Sequence, residues 1–170
     1  MEDEPLAQLP LDESRFKATH RAIFGELYDW AGSYRENTGN MIKARDAGYV
    51  VRYGDSAFVP GEMQRIFAEL RREDYLQGLP VDRYAERLAY YYSEIDGTHP
   101  FREGNSRTLR KFSADLALAA GYELDWEPTG RSEQSKNDLY IARDRAAHQR
   151  EYGQLIAVIR ANLRASSALM

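Results

Sequence analysis

The chain has 170 residues, enough for one domain with one sizeable core. Hydrophobic residues make up 43% and charged residues 29%, an ordinary balance for a globular protein, and a net charge of −4 argues against a broad nucleic-acid-binding surface. With no cysteine there is neither a disulfide nor a thiolate metal site, and no apolar run is long enough to span a membrane.

The start, MEDEPLAQLP, is acidic and lacks the basic-then-apolar pattern of a secretory leader, so a cytoplasmic protein is expected, export by a secretion system aside. From Ser14 to Gly32, Phe16, Ile23, Phe24, Leu27 and Trp30 recur at helical spacing and predict one helix. The next stretch is rich in turn chemistry around a short β-prone run, Tyr49 to Tyr53. It predicts one hairpin over Tyr49 to Phe58. Pro60 opens a helix striped with Met63, Ile66, Phe67 and Leu70. Asp82 is the expected N-cap of another, with Tyr84, Leu88, Tyr91, Tyr92 and Ile95 inward, ending at Gly97. Ser106 to Gly121 reads as the most apolar helix, buried at the centre. Two more helices follow, split near Gly153. The fold class expected is mainly α: a bundle of five to seven helices with one hairpin, forming a single domain over 1–170 with its core at about 14–160.

Between two of these helices lies His99-Pro100-Phe101-Arg102-Glu103-Gly104-Asn105-Ser106-Arg107-Thr108-Leu109-Arg110. Asn105 is the expected N-cap, with Ser106, Arg107 and Thr108 in the first turn. A helix start carries free N–H groups and the positive end of the dipole, and Gly104 permits close approach of a ligand. Arg107 and Arg110 share a helix face, yet a cation there is disfavoured by roughly 0.3–1 kcal/mol. Two cations and a nest of N–H groups call for a di- or triphosphate. Beside phosphates, Glu103 suits a divalent metal, Mg2+ above all. His99 supplies an imidazole able to take a proton near neutral pH. Phe101 is expected to anchor the loop. His20 and His148 are isolated in sequence and carry no assigned role.

The stretch resembles the signature of the Fic (filamentation induced by cAMP) domain, H-P-F-x-[DE]-G-N-G-R-x-x-R, at eleven of twelve positions. The likeness extends over roughly Phe16 to Ile159, through LYDWAGSYR, YGDSAFVP and ERLAYYYSEIDGTHPF. It implies a Fic fold, with the motif loop and helix central and the hairpin as a flap. It implies AMPylation, in which a protein Ser, Thr or Tyr hydroxyl attacks the α-phosphate of ATP and pyrophosphate leaves. His99 would be the base and Glu103 the Mg2+ ligand. Gly104, Asn105 and Ser106 would form the anion cradle, and Arg107 and Arg110 would hold the terminal phosphates. The flap, with Tyr53, Gly54 and Asp55, would position an extended segment of the target, and Asn137 and Tyr140 would line the adenine pocket.

Ser106 stands where the family has its second glycine, which suits a residue with ordinary helical angles. The family's inhibitory [ST]-x-x-x-E-[GN] pattern is not met at Glu36 or Glu103. The resemblance therefore extends to stand-alone toxins of the family, restrained by a small antitoxin that supplies the glutamate in trans and directed at targets that include topoisomerase subunits. Competing readings are transfer of another group, such as phosphate or UMP, a non-catalytic nucleotide-binding module, and a helix-turn-helix DNA binder using SRTLRKF.

Overall fold

The computed structural model describes residues 6–166; the first five residues of the acidic start and the last four of the chain lie outside that range. The order is α1 (Glu13–Phe24), β1 (Met41–Ala44), β2 (Val50–Tyr53), α2 (Val59–Arg72), α3 (Val81–Thr98), α4 (Asn105–Ala119), β3 (Tyr122–Leu124), α5 (Glu133–Gln149), α6 (Gly153–Ala161) and β4 (Leu163–Ala165). The mainly helical expectation holds. None of the described helices is long and apolar enough to cross a membrane.

α3 and α4 form the centre. α3 packs against α2, α4, α5 and α6, and α4 against α1. α3 is apolar on a broad face because Tyr84, Leu88, Tyr91, Tyr92 and Ile95 recur at helical spacing, and each is at most 2% exposed. Leu109, Phe112 and Leu116 do the same on α4. Phe16 joins the layers, its ring 5.4 Å from both Phe101 and Phe112 and 5.8 Å from Phe67. Trp126 packs against this core half-buried, its indole N–H donating to Ser113 Oγ at 3.0 Å.

Four boundaries differ from the sequence reading. The first helix stops at Phe24 rather than continuing to Gly32, and Leu27 is 68% exposed. The chain doubles back there because Gly32, at φ +84°, donates its N–H to His20 Nδ1 at 3.0 Å. Half-buried Trp30 stacks on Tyr28. The hairpin lies earlier than expected: Met41 pairs with Tyr53 and Ala44 with Val50, while Ser56–Phe58 forms a single 3-10 turn. β1 was missed because Met-Ile-Lys-Ala buries neither face fully. Asp82 does not cap α3, which starts at Val81 after Pro80; its carboxylate binds Arg160 at 2.5 Å instead. A second antiparallel pair, β3 with β4, was not foreseen and ties the chain after α6 to the chain after α4. The α5–α6 break falls as expected, at a left-handed Arg150 just before Gly153.

Candidate active site

The loop 99–104 between α3 and α4 is held from three sides. α3 ends at Thr98, and its C-cap His99, at φ +50°, turns the chain sharply. Phe101 is fully buried, stacked on His20 at 3.8 Å and on Phe16 at 5.4 Å. His20 is itself fully buried. Its Nδ1 accepts from Gly32, so the neutral ring carries its proton on Nε2 and donates it to the Glu103 carbonyl at 3.0 Å. Burial lowers the His20 pKa, which keeps that tautomer neutral. Gly104 follows at φ +80°, where a Cβ would stand 2.3 Å from Phe24 Cε2, so two separate constraints demand glycine.

The third support is Arg35, 1% exposed and unforeseen from the sequence. Its Nε donates to the His99 carbonyl at 2.8 Å, and its other nitrogens reach Thr38 Oγ1 and the carbonyls of Gly39, Gly54 and Thr98. One guanidinium thus joins the hairpin's flanks to the loop between α3 and α4. Only a five-donor fork fits so many carbonyls.

Asn105 is the first residue of α4 rather than its N-cap; Gly104 holds that position. The Asn105 side chain turns back over the loop. Its Oδ1 accepts from the Phe101 N–H at 2.8 Å, and its Nδ2 donates to the Phe101 carbonyl at 2.8 Å and contacts His99 Nε2 at 3.1 Å. Because Oδ1 must accept, Nδ2 is the donor and His99 Nε2 keeps a lone pair. His99 is 4% exposed, and its ring lies parallel to Tyr53 with centroids 4.0 Å apart. Burial pushes its pKa down to about 2, helped by the cations Lys43, Arg143, Arg35 and Arg45.

A cavity of about 290 Å³ opens on this loop, lined by Lys43, Arg45, His99, Glu103, Gly104, Asn105, Ser106, Arg107, Arg110, Tyr140 and Arg143. Every residue the sequence assigned to base, metal and phosphate roles is brought to it. Ser106 has ordinary helical angles, so serine carries no backbone strain there. Arg107 lies over the Phe24 ring at 4.7 Å, and neither Arg107 nor Arg110 has an acidic partner among the described residues. The cavity's five cations face a single carboxylate, Glu103. Glu103 is exposed, and no cluster of three or more potential metal ligands exists among the described residues. One carboxylate at the rim fits Mg2+ held jointly with phosphate oxygens, and it does not fit an all-protein metal cage.

Three of the cations were missed by sequence reading. Lys43 lies in β1 and Arg45 directly after its end, and both line the cavity from the hairpin. Arg45 makes two bonds to Asp144, at 2.8 and 2.9 Å, and one to the Tyr53 hydroxyl at 2.9 Å. Arg143 comes from α5, one turn after Tyr140; that spacing was the available signal. Of the two adenine-pocket candidates, Tyr140 lines this cavity and Asn137 does not. Of the three flap candidates, Tyr53 is buried inward on His99, whereas Gly54 and Asp55 line a neighbouring groove of about 330 Å³ with Arg52, Glu94 and His148.

The family model that matches residues 10–116 is that of the Fic/DOC family. The protein adenylyltransferase VbhT of Bartonella schoenbuchensis is 34% identical over 155 residues, covering 89% of this chain and 29% of that protein. The probable protein adenylyltransferase Fic of Salmonella typhimurium is 39% identical over 110 residues, covering 65% of this chain and 52% of that one. This chain therefore spans about half or less of these curated relatives. Among solved structures, BepC of Bartonella tribocorum with bound AMPPNP superposes with a TM-score of 0.76 at 19% identity, over 95% of this chain and 80% of that one. A Fic domain from Bartonella quintana with bound ADP gives 0.77 at 22% identity, over 94% and 76%. At these identities the structures speak for the fold.

Proposed function

This chain belongs to the Fic/DOC family, and on that premise we propose that it is a protein adenylyltransferase. ATP and a protein bearing a Ser, Thr or Tyr hydroxyl are its substrates, and AMP is the group transferred. The observation that carries the reading is the convergence on one cavity of His99, the α4 start and two arginines with no acidic partner among the described residues.

The target oxygen attacks the α-phosphorus, the bond to the bridging oxygen breaks, and pyrophosphate leaves. The hydroxyl proton passes to His99 Nε2, the ring nitrogen that holds a lone pair. That transfer displaces the Asn105 hydrogen bond and frees an amide N–H beside the phosphates. Arg107 and Arg110 bind the β- and γ-phosphates and take up the charge that develops on the leaving group. The N–H groups of Asn105, Ser106 and Arg107 have no partner within α4 and cradle the same oxygens. Glu103 is the residue that would hold Mg2+ together with phosphate oxygens, and the metal would supply neutralisation of phosphate charge. Tyr140 contributes a ring at the cavity wall for the base or ribose, and Gly54 and Asp55 flank the edge that receives the target.

The wider setting proposed is a cytoplasmic toxin whose antitoxin, a small separate protein, presents a glutamate to Arg110. Incubation of the protein and a cell lysate with ATP labelled at the α- or γ-position tests the chemistry. Label on protein from α-ATP alone, lost in His99→Ala, is the expected result. Label from γ-ATP overturns AMP transfer, and nucleotide binding without any label leaves a non-catalytic module.

A further inference from the structure

Ser106 departs from the family signature, and the structure gives it a partner. Arg143 Nη1 donates to Ser106 Oγ at 2.6 Å. Arg143 is 3% exposed, and its guanidinium has two acids and a ring beside it, though its Nε makes no hydrogen bond among the described residues. Its Nε faces Asp96 Oδ2 at 3.4 Å and Asp144 Oδ1 at 3.8 Å, and its carbon lies 4.5 Å from the Tyr140 ring centroid. Asp96 is 1% exposed with neither carboxylate oxygen hydrogen-bonded among the described residues, so Arg143 is its principal countercharge. Swinging Arg143 away would take the ion-pair partner from a buried acid whose pKa burial already raises.

The hydrogen-bond count at Ser106 follows. An arginine only donates, so Oγ accepts, and the serine's own O–H is left to point elsewhere. Ser106 lines the anion cavity beside the free N–H groups at the start of α4. A hydroxyl already accepting from a cation is a stronger donor than a free one.

Resting on the reading of this cavity as a polyphosphate site, we propose that the Ser106 side-chain hydroxyl is a phosphate-binding group in addition to the backbone N–H groups of the cradle. It adds an O–H donor that glycine at this position cannot supply, and Arg143 is the positioning residue that polarises and aims it. The Asp96–Arg143–Ser106 relay therefore couples the buried end of α3 to the anion cradle. The group recognised is a phosphate oxygen of the nucleotide chain.

The test is calorimetric binding of ATP and of inorganic tripolyphosphate to the full chain. Ser106→Ala and Ser106→Gly should each weaken both ligands by about tenfold, the scale of a hydrogen bond to a charged group. Ser106→Thr, which keeps the hydroxyl, should restore binding to within about twofold on the same scale. Arg143→Lys keeps a charge for Asp96 but loses the fork; in that background Ser106→Ala should have little further effect. Native-like affinity in Ser106→Ala, or equal losses from Ser106→Ala in both backgrounds, overturns the proposal alone. Failure of the unmodified protein to bind either ligand overturns the reading of the site as well.

Discussion

The rings of Tyr53 and His99 lie parallel, 20° from coplanar with centroids 4.0 Å apart, and the Tyr53 hydroxyl accepts from Arg45 at 2.9 Å. The residue singled out as a flap position is therefore the lid on the imidazole proposed as the base. It blocks rotation of the ring from one face, while Asn105 fixes its edge.

Replacing Tyr53 should separate positioning from binding. Tyr53→Phe keeps the stack and loses one hydrogen bond to Arg45, so transfer activity should remain within a few-fold of native. Tyr53→Ala frees the imidazole and leaves a cavity. Turnover should fall by ~100-fold, the scale of a misplaced catalytic group, with KM for ATP little changed. Stability should drop by about 3–5 kcal/mol. Steady-state kinetics and urea unfolding of the two variants check this; equal kcat in both would show that the stack does not position the base.

The His99 environment makes stability depend on pH. In the folded chain its pKa is down at about 2, and in the unfolded chain it returns to the ordinary value near 6.5. Between those values the unfolded state binds the extra proton. Its contribution is fully present above pH ~6.5 and is lost as pH falls through that window, by up to ~1.4 kcal/mol per pH unit. His20, also depressed by burial, acts in the same direction, so the difference between native and His99→Gln isolates His99. Urea midpoints at pH 7 and pH 5 should diverge more for native protein than for the variant. Burial is the main cause of the depression and the neighbouring cations add to it; bound polyphosphate opposes that second contribution, so ATP should shift the His99 titration upward in NMR spectra.

The site was legible where its residues are contiguous. Twelve consecutive residues carry the turn, the proposed base and both arginines that lack an acidic partner among the described residues, because a loop entering a helix places neighbours in sequence around one point. Lys43, Arg45 and Arg143 were not legible, since a lone cation in a hairpin or on a helix normally faces solvent. Only tertiary packing aims these three at one cavity. Arg35 escaped for the same reason: a fully buried guanidinium is rare, and its five acceptors come from three separate segments. Asn105 was misread because a residue with excellent capping chemistry is used instead to staple the loop before it. Helix interiors were correctly read from periodicity, whereas α1 ran on too far: a pattern of apolar residues continues through a segment where the chain has turned back on itself.

Gly104 should not tolerate alanine. Its φ of +80° costs an L-residue about 1 kcal/mol, and the 2.3 Å approach to Phe24 adds an overpacking penalty of about 1–3 kcal/mol. Gly104→Ala should lower Tm by roughly 4–15 °C at about 2–4 °C per kcal/mol. Phe24→Ala removes the obstructing ring, so the alanine should cost less in that background than in the native one. Thermal melts of the four proteins form the cycle, and strict additivity would rule out the clash.

His20 carried no role in the sequence, yet it is the hinge pin of the loop. It stacks on Phe101, joins the Glu103 carbonyl to the Gly32 N–H, and is fully buried. His20→Phe keeps the stacking surface and leaves both backbone groups without their partner. Each unsatisfied group costs about 1–3 kcal/mol, so a loss of about 2–5 kcal/mol is expected. The loop is also released next to Glu103, while His99 remains held by Arg35, Tyr53 and Asn105. Activity should therefore demand more Mg2+ at saturating ATP, with the pH dependence of turnover unchanged. A variant as stable as native, or one whose Mg2+ requirement does not move, would mean that His20 fills space and does not support the metal-side carboxylate.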